Sequence, residues 1–426
     1  GEEEPEGEEG EENVDDEEGK ELEEGEEGHE GEEERDEEGE VHEGDNDDDE
    51  TSQDGYHMCE SCKRINMEKR KATRDLTNQV AIVTGARIKI GYHVALNLLR
   101  AGATVIATTR FIESARVNYA KETDYDSFKE RLILYPLNLK YGSSILNFVD
   151  YVQSNFKRVH ILINNAAQTV RRPLMYYEEL IDRERQALKL TTNNNDTSVQ
   201  GKEEAEEDGS SKAVQVYTYQ TDLRTIQKIE NPMLRAQHLS LFATSAVNLD
   251  EEDLEADRSQ FPKGELDAYG EPKDLREHHS WTYKLPEVTD VELLEVQMVN
   301  QIAPTMLVSK LMKSMQVSST DRTTGYIVNV TSHEGSFHTV GKTDDHVHTN
   351  ISKAALNMLT RSAAAHYAKH GIIMVSADTG WVSSAISTFK SPPLTCEDGA
   401  ARVLHPVMTN SLEYGVLLKD FKKVPW

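Results

Sequence analysis

Glycines and basic residues alternate in one short stretch of the chain, which reads TGARIKIG over residues 84–91. These residue types suit the binding of phosphate. Glycine lets the backbone turn sharply and lets a ligand approach it closely, and basic side chains attract negative charge. The candidate phosphate-binding residues are Thr84, Gly85, Arg87, Lys89, Ile90 and Gly91.

A strand and a helix must hold this loop in place. Residues 80–83 are apolar and β-prone, which predicts a buried strand directly before the loop. Over residues 94–99 apolar side chains recur at helical spacing, and Gly102 suits the C-cap that ends a helix. A strand, a glycine turn and a helix in this order predict the start of a dinucleotide-binding βαβ unit, whose helix N-terminus faces the phosphate.

The same alternation continues along the chain and predicts the fold. Apolar runs predict further strands at residues 103–109, 131–137, 159–163, 325–331, 371–377 and 414–418. Helical periodicity predicts helices at residues 143–155, 289–316 and 396–408. Strands that alternate with helices favour an α/β fold, here a Rossmann-type doubly wound parallel sheet in a single domain.

The end of the second predicted strand indicates which cofactor such a fold would bind. An Asp or Glu there hydrogen-bonds the ribose 2′-hydroxyl of NAD, whereas an arginine accommodates the 2′-phosphate of NADP. Residues 108–111 contain no acid and do contain Arg110, and Arg87 adds a second cation. We therefore predict NADP(H) rather than NAD(H), with the alternative that Arg110 only solvates a loop.

A long insertion, residues 171–286, separates the fourth predicted strand from the next helix. Residues 190–212 are polar and of low complexity, which predicts disorder, whereas residues 175–190 and 223–246 have the pattern of helices. An insertion at this place emerges beside the carboxyl ends of the strands, where such folds bind ligands. It is interpreted either as a lid or partner surface, or as a decorative loop.

Acidic residues concentrate in the first 54 residues of this 426-residue chain, whose net charge is −31. The segment is mostly Glu, Asp and Gly, with Lys20 and Arg35 as its bases. Because it has too few apolar side chains to bury a core, we predict a disordered acidic tail at residues 1–54. The tail is either a solubilising extension or an arm for basic proteins. Residues 55–75 are predicted to be a basic, solvated linker, and a localisation signal is the alternative for the basic residues 63–74. The folded domain is predicted at residues 76–426.

Other features limit the class of protein. Three cysteines are too few for a disulfide framework and suit a reducing compartment. His57, Cys59 and Cys62 could hold part of a zinc site, but structural zinc takes four ligands, so we predict no metal. No apolar run reaches the roughly 18 residues that span a membrane, and we predict neither a membrane nor a nucleic-acid partner. A cytoplasmic location is the expectation, although a targeting signal could be missing before Gly1.

Several motifs together resemble those of the short-chain dehydrogenase/reductase family. Residues 84–91 resemble its T-G-x-x-x-G-x-G loop, with Lys89 at the middle glycine, where the added charge partly compensates. Residues 164–167, NNAA, resemble its N-N-A-G motif, and residues 378–383 resemble its P-G-x-x-x-T segment. The resemblance implies that further residues contact the cofactor. They are Asn138 near the adenine, Asn165 and Ala166 after strand four, Lys353 at the ribose, and Gly380 and Val382 at the nicotinamide.

The resemblance also implies a catalytic site, with Asn300 on a helix and Ser332 hydrogen-bonding the substrate oxygen. Lys353 matches the family's lysine, but four residues before it stands Thr349, where the family has a tyrosine. This substitution indicates a divergent branch. A phenol has a pKa of about 10, whereas an aliphatic hydroxyl is far less acidic. Thr349 can therefore orient a substrate but is a poor general acid.

Two histidines just before Thr349 offer another proton donor. Histidine is the side chain best suited to exchange a proton near neutral pH, so one hypothesis has the imidazole of His346 or His348 replace the phenol. The alternative is that both are loop histidines without a catalytic role.

Two functions follow from these expectations. The first is an NADP(H)-dependent oxidoreductase that transfers hydride between the cofactor and a small carbonyl or alcohol substrate. The alternative is a catalytically inactive nucleotide-binding or scaffold protein. The family resemblance further implies a homo-oligomer, paired through the helices at residues 289–316 and 349–370.

Overall fold

A parallel β-sheet forms the centre of the computed structural model, which describes residues 58–192, 229–245, 253, 256–267, 269–382 and 392–426. Within these residues eight strands form one sheet in the order β3-β2-β1-β4-β5-β6-β7-β8. Neighbouring strands run parallel except β7 and β8. The strands are β1 (Val80–Thr84), β2 (Thr104–Thr109), β3 (Leu132–Pro136), β4 (Ile161–Asn164), β5 (Gly325–Thr331), β6 (Ile372–Asp378), β7 (Leu417–Lys419) and β8 (Lys422–Val424). The predicted acidic tail lies outside the described residues.

Helices connect the strands and cover the sheet. The described helices are α1 (Glu60–Arg70), α2 (Lys89–Arg100), α3 (Ile112–Ala120), α4 (Tyr125–Phe128), α5 (Gly142–Asn155), α6 (Leu174–Thr192), α7 (Pro232–Ser245), α8 (Asp290–Gln297), α9 (Ala303–Met315), α10 (Val347–Ala368) and α11 (Cys396–Met408). None of the helices in this part of the chain is both long and apolar enough to cross a membrane.

Both faces of the sheet are buried, because successive residues of a strand point to opposite faces. In β1, Val83 belongs to the core that α2, α3 and α11 complete, whereas Ile82 belongs to the core beneath α5, α9 and α10. Strands buried on both faces have unbroken apolar sequences, which is why the sequence pattern located them. The prediction of a doubly wound α/β fold is confirmed.

The helix predicted over residues 289–316 differs from the structure. It consists of α8 and α9, joined by a π-helical turn at Met298–Ile302. Pro304 has no N–H, so it cannot give the carbonyl of Asn300 the bond that a regular α-helix would have there. In the same turn, the Asn300 side chain bonds the backbone of Gln168. The prediction of one continuous helix is corrected to two helices with a π turn between them.

The predicted basic linker also differs from the structure. Within it, α1 docks on α11 through the Arg70 guanidinium, which donates to both carboxylate oxygens of Asp398 at 2.6 and 2.7 Å. Asn66 of α1 is buried and accepts a hydrogen bond of 2.8 Å from Arg402. The prediction of a solvated linker is therefore corrected for these residues, because their polar side chains have buried partners in α11.

Parts of the insertion pack as a third small core. In α6, Leu180 and Ile181 are buried against Phe111, which follows β2, and Leu241 of α7 joins them. A decorative loop would have little buried apolar surface, so this packing argues against that interpretation for the described part of the insertion. Of the segment predicted to be disordered, residues 190–192 form the end of α6, and residues 193–212 lie outside the described part of the chain.

We expect Asp398→Asn to lower the free energy of unfolding by about 2 kcal/mol, because it leaves the half-buried Arg70 guanidinium facing a neutral amide. Urea denaturation followed by circular dichroism measures the change. Glu397→Gln is the matched control, since its side chain is 48% exposed, and its effect should stay within about 0.5 kcal/mol. Equal losses in the two variants would contradict the docking role of Asp398.

Candidate active site

A cavity of about 390 Å³ opens at the carboxyl ends of β1, β2, β3 and β4. Open parallel sheets bind ligands at this edge, where the strand order reverses between β1 and β4. Of the predicted cofactor residues, the cavity is lined by Gly85, Arg87, Lys89, Ile90, Gly91, Arg110, Asn138, Asn165 and Ala166.

The glycine loop closes tightly against the end of β4. A Cβ atom added to Gly91 would overlap the carbonyl oxygen of Gly85 and the side-chain nitrogen of Asn165. Lys89 has a φ of +57°, a left-handed conformation that glycine adopts without strain and that other residues adopt at a cost of about 1–2 kcal/mol. The backbone thus keeps the shape of a glycine loop although a lysine occupies the middle position.

Thr84 and Asn165 hold the loop from within. The backbone N–H groups of Asn165 and Ala166 donate to the Thr84 hydroxyl, each at 3.0 Å. The Asn165 side chain donates to the carbonyl oxygens of Thr84 at 2.9 Å and Gly85 at 3.3 Å. These bonds tie the end of β1 to the end of β4, so both residues have positioning roles.

Basic side chains line the cavity near the end of β2. The Arg110 guanidinium lies 4.6 Å from the centroid of the Tyr177 ring, and Arg172 lies 4.7 Å from that of Tyr176. Lys140 pairs with Glu295 at 2.6 Å, and burial lowers the pKa of its ammonium group. Together with the two cations of the glycine loop, these side chains make the cavity attractive to a polyanion.

One carboxylate also enters the cavity, and it comes from the insertion. Glu271 pairs with Arg87 through both oxygens, with a distance of 2.6 Å from Nη2 to Oε2. Both side chains are more than nine-tenths buried. Arg87 also donates to the Ser114 hydroxyl at 3.2 Å, at the start of α3. The second cation predicted for the cofactor is therefore already paired with an acid.

The predicted catalytic residues lie at the end of β5 and on α10. Lys353 donates from Nζ to the carbonyl oxygen of Val330 at 2.9 Å, and burial lowers the pKa of its ammonium group to about 8. The Thr349 hydroxyl is buried and has no hydrogen-bond partner within the described residues. Ser332 is half-buried at the N-cap of a short 3₁₀ turn that follows β5. One turn of helix places Thr349 and Lys353 on one face.

Asn300 connects α8 and α9 to the loop after β4. Its side-chain oxygen accepts from the Gln168 N–H at 2.7 Å, and its side-chain nitrogen donates to the Gln168 carbonyl at 3.0 Å. The same nitrogen donates to the Ser352 hydroxyl at 3.2 Å. Asn300 thus holds the π turn, the β4 loop and α10 together beside the candidate catalytic residues.

The two histidines contact other groups. His348 is fully buried, and its Nε2 lies 3.7 Å from a carboxylate oxygen of Glu292. His346 stacks on Trp281 with ring centroids 4.0 Å apart, and its Nδ1 contacts the Trp281 carbonyl oxygen at 3.0 Å. Within the described part of the chain, neither imidazole hydrogen-bonds Ser332.

Gly380 and Val382 lie after β6. Gly380 has a φ of +71° and donates its N–H to the Asp378 carboxylate at 2.8 Å. Val382 forms an isolated parallel bridge with Leu394, and the residues between them from 383 to 391 are outside the described chain. Both stand at the carboxyl edge of the sheet but do not line the cavity described above.

A family profile described as short chain dehydrogenase matches residues 79–187 and 279–393, which together exceed half of the chain. The chain belongs to the short chain dehydrogenase family. The two matched parts omit residues 188–278, which fall within the predicted insertion.

Individual relatives of this short chain dehydrogenase align with different fractions of its sequence. An uncharacterized protein of Acanthamoeba polyphaga mimivirus is 29% identical over 391 residues, which is 86% of this chain and 71% of that protein. Human retinol dehydrogenase 11 is 33% identical over 95 residues, 22% of this chain and 30% of its own length. The NADPH-bound carbonyl reductase from chicken fatty liver aligns with a TM-score of 0.48 and 18% identity, over 82% of this chain and 99% of that one.

Three residues of this short chain dehydrogenase site were missed in the sequence. Lys140 follows the predicted adenine contact Asn138 by two residues, so its position after β3 was a usable signal. Arg172 follows the NNAA motif closely and could have been found in the same way. Glu271 had no local signal, because its pairing with Arg87 spans 184 residues of sequence.

We expect Gly91→Ala to lower the free energy of unfolding by about 3 kcal/mol, because its Cβ has no space between Gly85 and Asn165. Gly142→Ala is the matched control, since its Cβ would meet only the Met306 methyl group at 3.8 Å, and its effect should stay within about 1 kcal/mol. Urea denaturation measures both. A Gly91→Ala protein as stable as the control would contradict the close approach of loop and strand.

Proposed function

We propose that this short chain dehydrogenase is an oxidoreductase that transfers hydride between NADP(H) and a small carbonyl or alcohol substrate. The observation that carries the proposal is the cavity at the carboxyl edge of the sheet, where a tight glycine loop and five cations converge. Family membership supports the reaction type, and the cavity supports the cofactor.

The residues present fit a dinucleotide. Because Gly91 has no Cβ, the glycine loop can keep the tight turn against Gly85 and Asn165 that the pyrophosphate loop of such a fold requires. Asn138, Asn165 and Ala166 line the adjoining cavity. Lys353, Gly380 and Val382, farther along the sheet edge, are the proposed contacts of the nicotinamide half.

The charge distribution favours NADP(H) over NAD(H). Residues 108–111 contribute Arg110 and no acid, and Lys140 and Arg172 line the same cavity. A 2′-phosphate adds about two negative charges that these cations can pair, whereas a ribose hydroxyl adds none. Glu295 already contacts Lys140 and Asp274 already contacts Arg172, so Arg110 is the main candidate for the phosphate. Glu271 is the one acid among the cavity-lining residues, and it is paired with Arg87.

When bound, NADPH would supply the hydride that reaches the carbonyl carbon of the substrate. The chain must then hold the carbonyl oxygen and give it a proton. Ser332 is the proposed hydrogen-bond donor to that oxygen. The proposed proton source is the Lys353 ammonium group, through the Thr349 hydroxyl, which passes its own proton to the substrate oxygen and takes one from Lys353. Solvent then reprotonates Lys353.

Two observations favour this proton path over a histidine. Thr349 has a buried hydroxyl without a partner, so it is free to bond a substrate oxygen on one side and Lys353 on the other. His346 and His348 face Trp281 and Glu292 instead. The pKa of Lys353, about 8, suits exchange of a proton near neutral pH.

A second function, nucleotide binding without hydride transfer, is favoured by the presence of Thr349 where the family has a tyrosine. A threonine hydroxyl is far less acidic than the phenol it replaces. Purified protein, NADPH and a panel of aldehydes and ketones distinguish the two functions. Oxidation of NADPH with any carbonyl compound supports the oxidoreductase, whereas tight NADPH binding without turnover supports the binding protein.

We expect Arg110→Gln to weaken NADPH binding about tenfold or more, because one charge-assisted contact to phosphate contributes about 1.5–3 kcal/mol. NADH binding should change by less than about threefold, since it lacks the 2′-phosphate. Fluorescence titration measures both dissociation constants. Arg116→Gln is the control, because Arg116 is exposed on α3 and pairs with Glu113. Equal losses for both cofactors would contradict the assigned role of Arg110.

We expect the rate of carbonyl reduction to fall as the pH rises through about 8, because Lys353 loses its proton there. Oxidation of the alcohol should show the opposite slope. Thr349→Val should lower the reduction rate at least about tenfold, whereas Thr349→Ser, which keeps the hydroxyl, should retain most of it. A Thr349→Val enzyme with the rate and pH profile of the wild type would exclude the relay.

A further inference from the structure

Glu271 is a buried acid, and cations surround its carboxylate as they would surround a bound anion. Its carboxylate pairs with Arg87 through two parallel contacts, and Lys89 and Arg172 line the same cavity. Burial raises the pKa of the carboxyl group, but the three cations outweigh burial and hold the pKa below its usual value. An arginine presents the same pair of donors to a carboxylate and to a phosphate.

The location of the pair indicates which phosphate the carboxylate replaces. Arg87 also donates to Ser114 at the start of α3, directly after the β2 end that carries Arg110. In dinucleotide folds the ribose 2′ position lies at the end of this strand. The Arg87 N–H groups that donate to Glu271 are therefore the groups that would donate to a 2′-phosphate of NADP(H).

Glu271 belongs to a hairpin of the insertion, formed by residues 260–267 and 269–275. Two backbone bonds close the hairpin, from the Asp267 N–H to the Glu271 carbonyl at 2.7 Å and from the Leu275 N–H to the Gln260 carbonyl at 2.9 Å. The Gly264 N–H donates outside the hairpin, to Glu179 of α6 at 2.8 Å. Leu266 and Pro272 form an antiparallel bridge. Leaving the glycine loop would thus break the ion pair of Glu271 without breaking these backbone bonds.

A second contact joins the same hairpin to the glycine loop. The Lys89 ammonium group lies 5.3 Å from the centroid of the Tyr269 ring, within the range of a cation–π interaction. The hairpin therefore covers both cations of the loop, Arg87 by an ion pair and Lys89 by an aromatic ring.

We propose that Glu271 is a tethered anion that occupies the 2′-phosphate subsite, so that NADP(H) binds only by displacing it and its hairpin. This inference rests on the proposed function. It makes the insertion a gate of the cofactor site and makes Glu271 a residue that reduces the discrimination between NADP(H) and NAD(H). The cell would need a higher concentration of NADP(H) to open the site than the cation cluster alone requires.

The affinities of NADPH and NADH for wild type and Glu271→Gln test the proposal. The amide keeps the size of the side chain but no longer competes as an anion, so we expect the variant to bind NADPH at least about tenfold tighter. NADH should change less than about threefold. Glu265→Gln is the matched control, because Glu265 lies in the same hairpin, is 53% exposed and pairs with Lys273. It should leave both affinities unchanged.

Each other outcome overturns a defined part of the account. Unchanged or weaker NADPH binding by Glu271→Gln overturns the gate, and equal gains for NADPH and NADH overturn the 2′-phosphate assignment. A wild type that binds neither cofactor, together with a variant that binds neither, overturns the proposed function itself.

Hydrogen exchange provides a test that needs no variant. When wild-type protein is saturated with NADPH, exchange of the Gly264 amide should rise if the hairpin is displaced, because this amide donates to Glu179 outside the hairpin. Exchange at Gly264 that falls or stays constant while NADPH is bound would contradict displacement.

Discussion

The close approach of Gly91 to Gly85 and Asn165 is the constraint on which the site depends. Position 91 has no side chain, and a Cβ there would overlap the Gly85 carbonyl and the Asn165 side chain. Glycine therefore lets the ends of β1 and β4 meet at the N-terminus of α2. Thr84 and Asn165 lock this contact with hydrogen bonds. Lys89, Ile90 and Gly91, at the start of α2, line the cavity, and this is where we propose that the pyrophosphate of the cofactor binds.

Electrostatics explain why the insertion belongs to this site. A cavity with several buried cations is unstable without counter-charge, because desolvation of each cation costs free energy. Glu271 and Glu295 supply part of that charge, at Arg87 and Lys140. The insertion and α8 thus neutralise a surface that a dinucleotide would otherwise neutralise. The same contacts that stabilise the protein without cofactor would compete with the cofactor.

Most of the fold could be predicted from the sequence because its signals are local. Strands buried on both faces have continuous apolar sequences, and the helix over residues 396–408 has the predicted bounds. The π turn was not predicted, although Pro304 is a local signal for a break in regular helical hydrogen bonding. The bond between Asn300 and Gln168, 132 residues apart, has no such local signal. The docking of α1 depends on Asp398, 328 residues from Arg70. Pairings at such separations leave no periodicity in the sequence.

Some residues of the candidate site could also be found from the sequence, and others could not. Thr349 and Lys353 were located by resemblance to the family's tyrosine–lysine pair, whose four-residue spacing places both on one helix face. The glycine loop was located because its residue types and spacing follow from local geometry. Burial of His348 against Glu292 was not predictable, because it follows from the packing of α8 against α10. Glu271 was missed because a single acid in a polar insertion has no distinguishing pattern.

Titration of the wild-type protein with NADPH and NADH, followed by cofactor fluorescence, shows whether the cavity binds a dinucleotide and which of the two it prefers. The account predicts saturable binding of one NADPH per chain, with weaker binding of NADH. Absence of binding by either cofactor would mean that Lys89 and the insertion have closed the cavity, and would contradict the account.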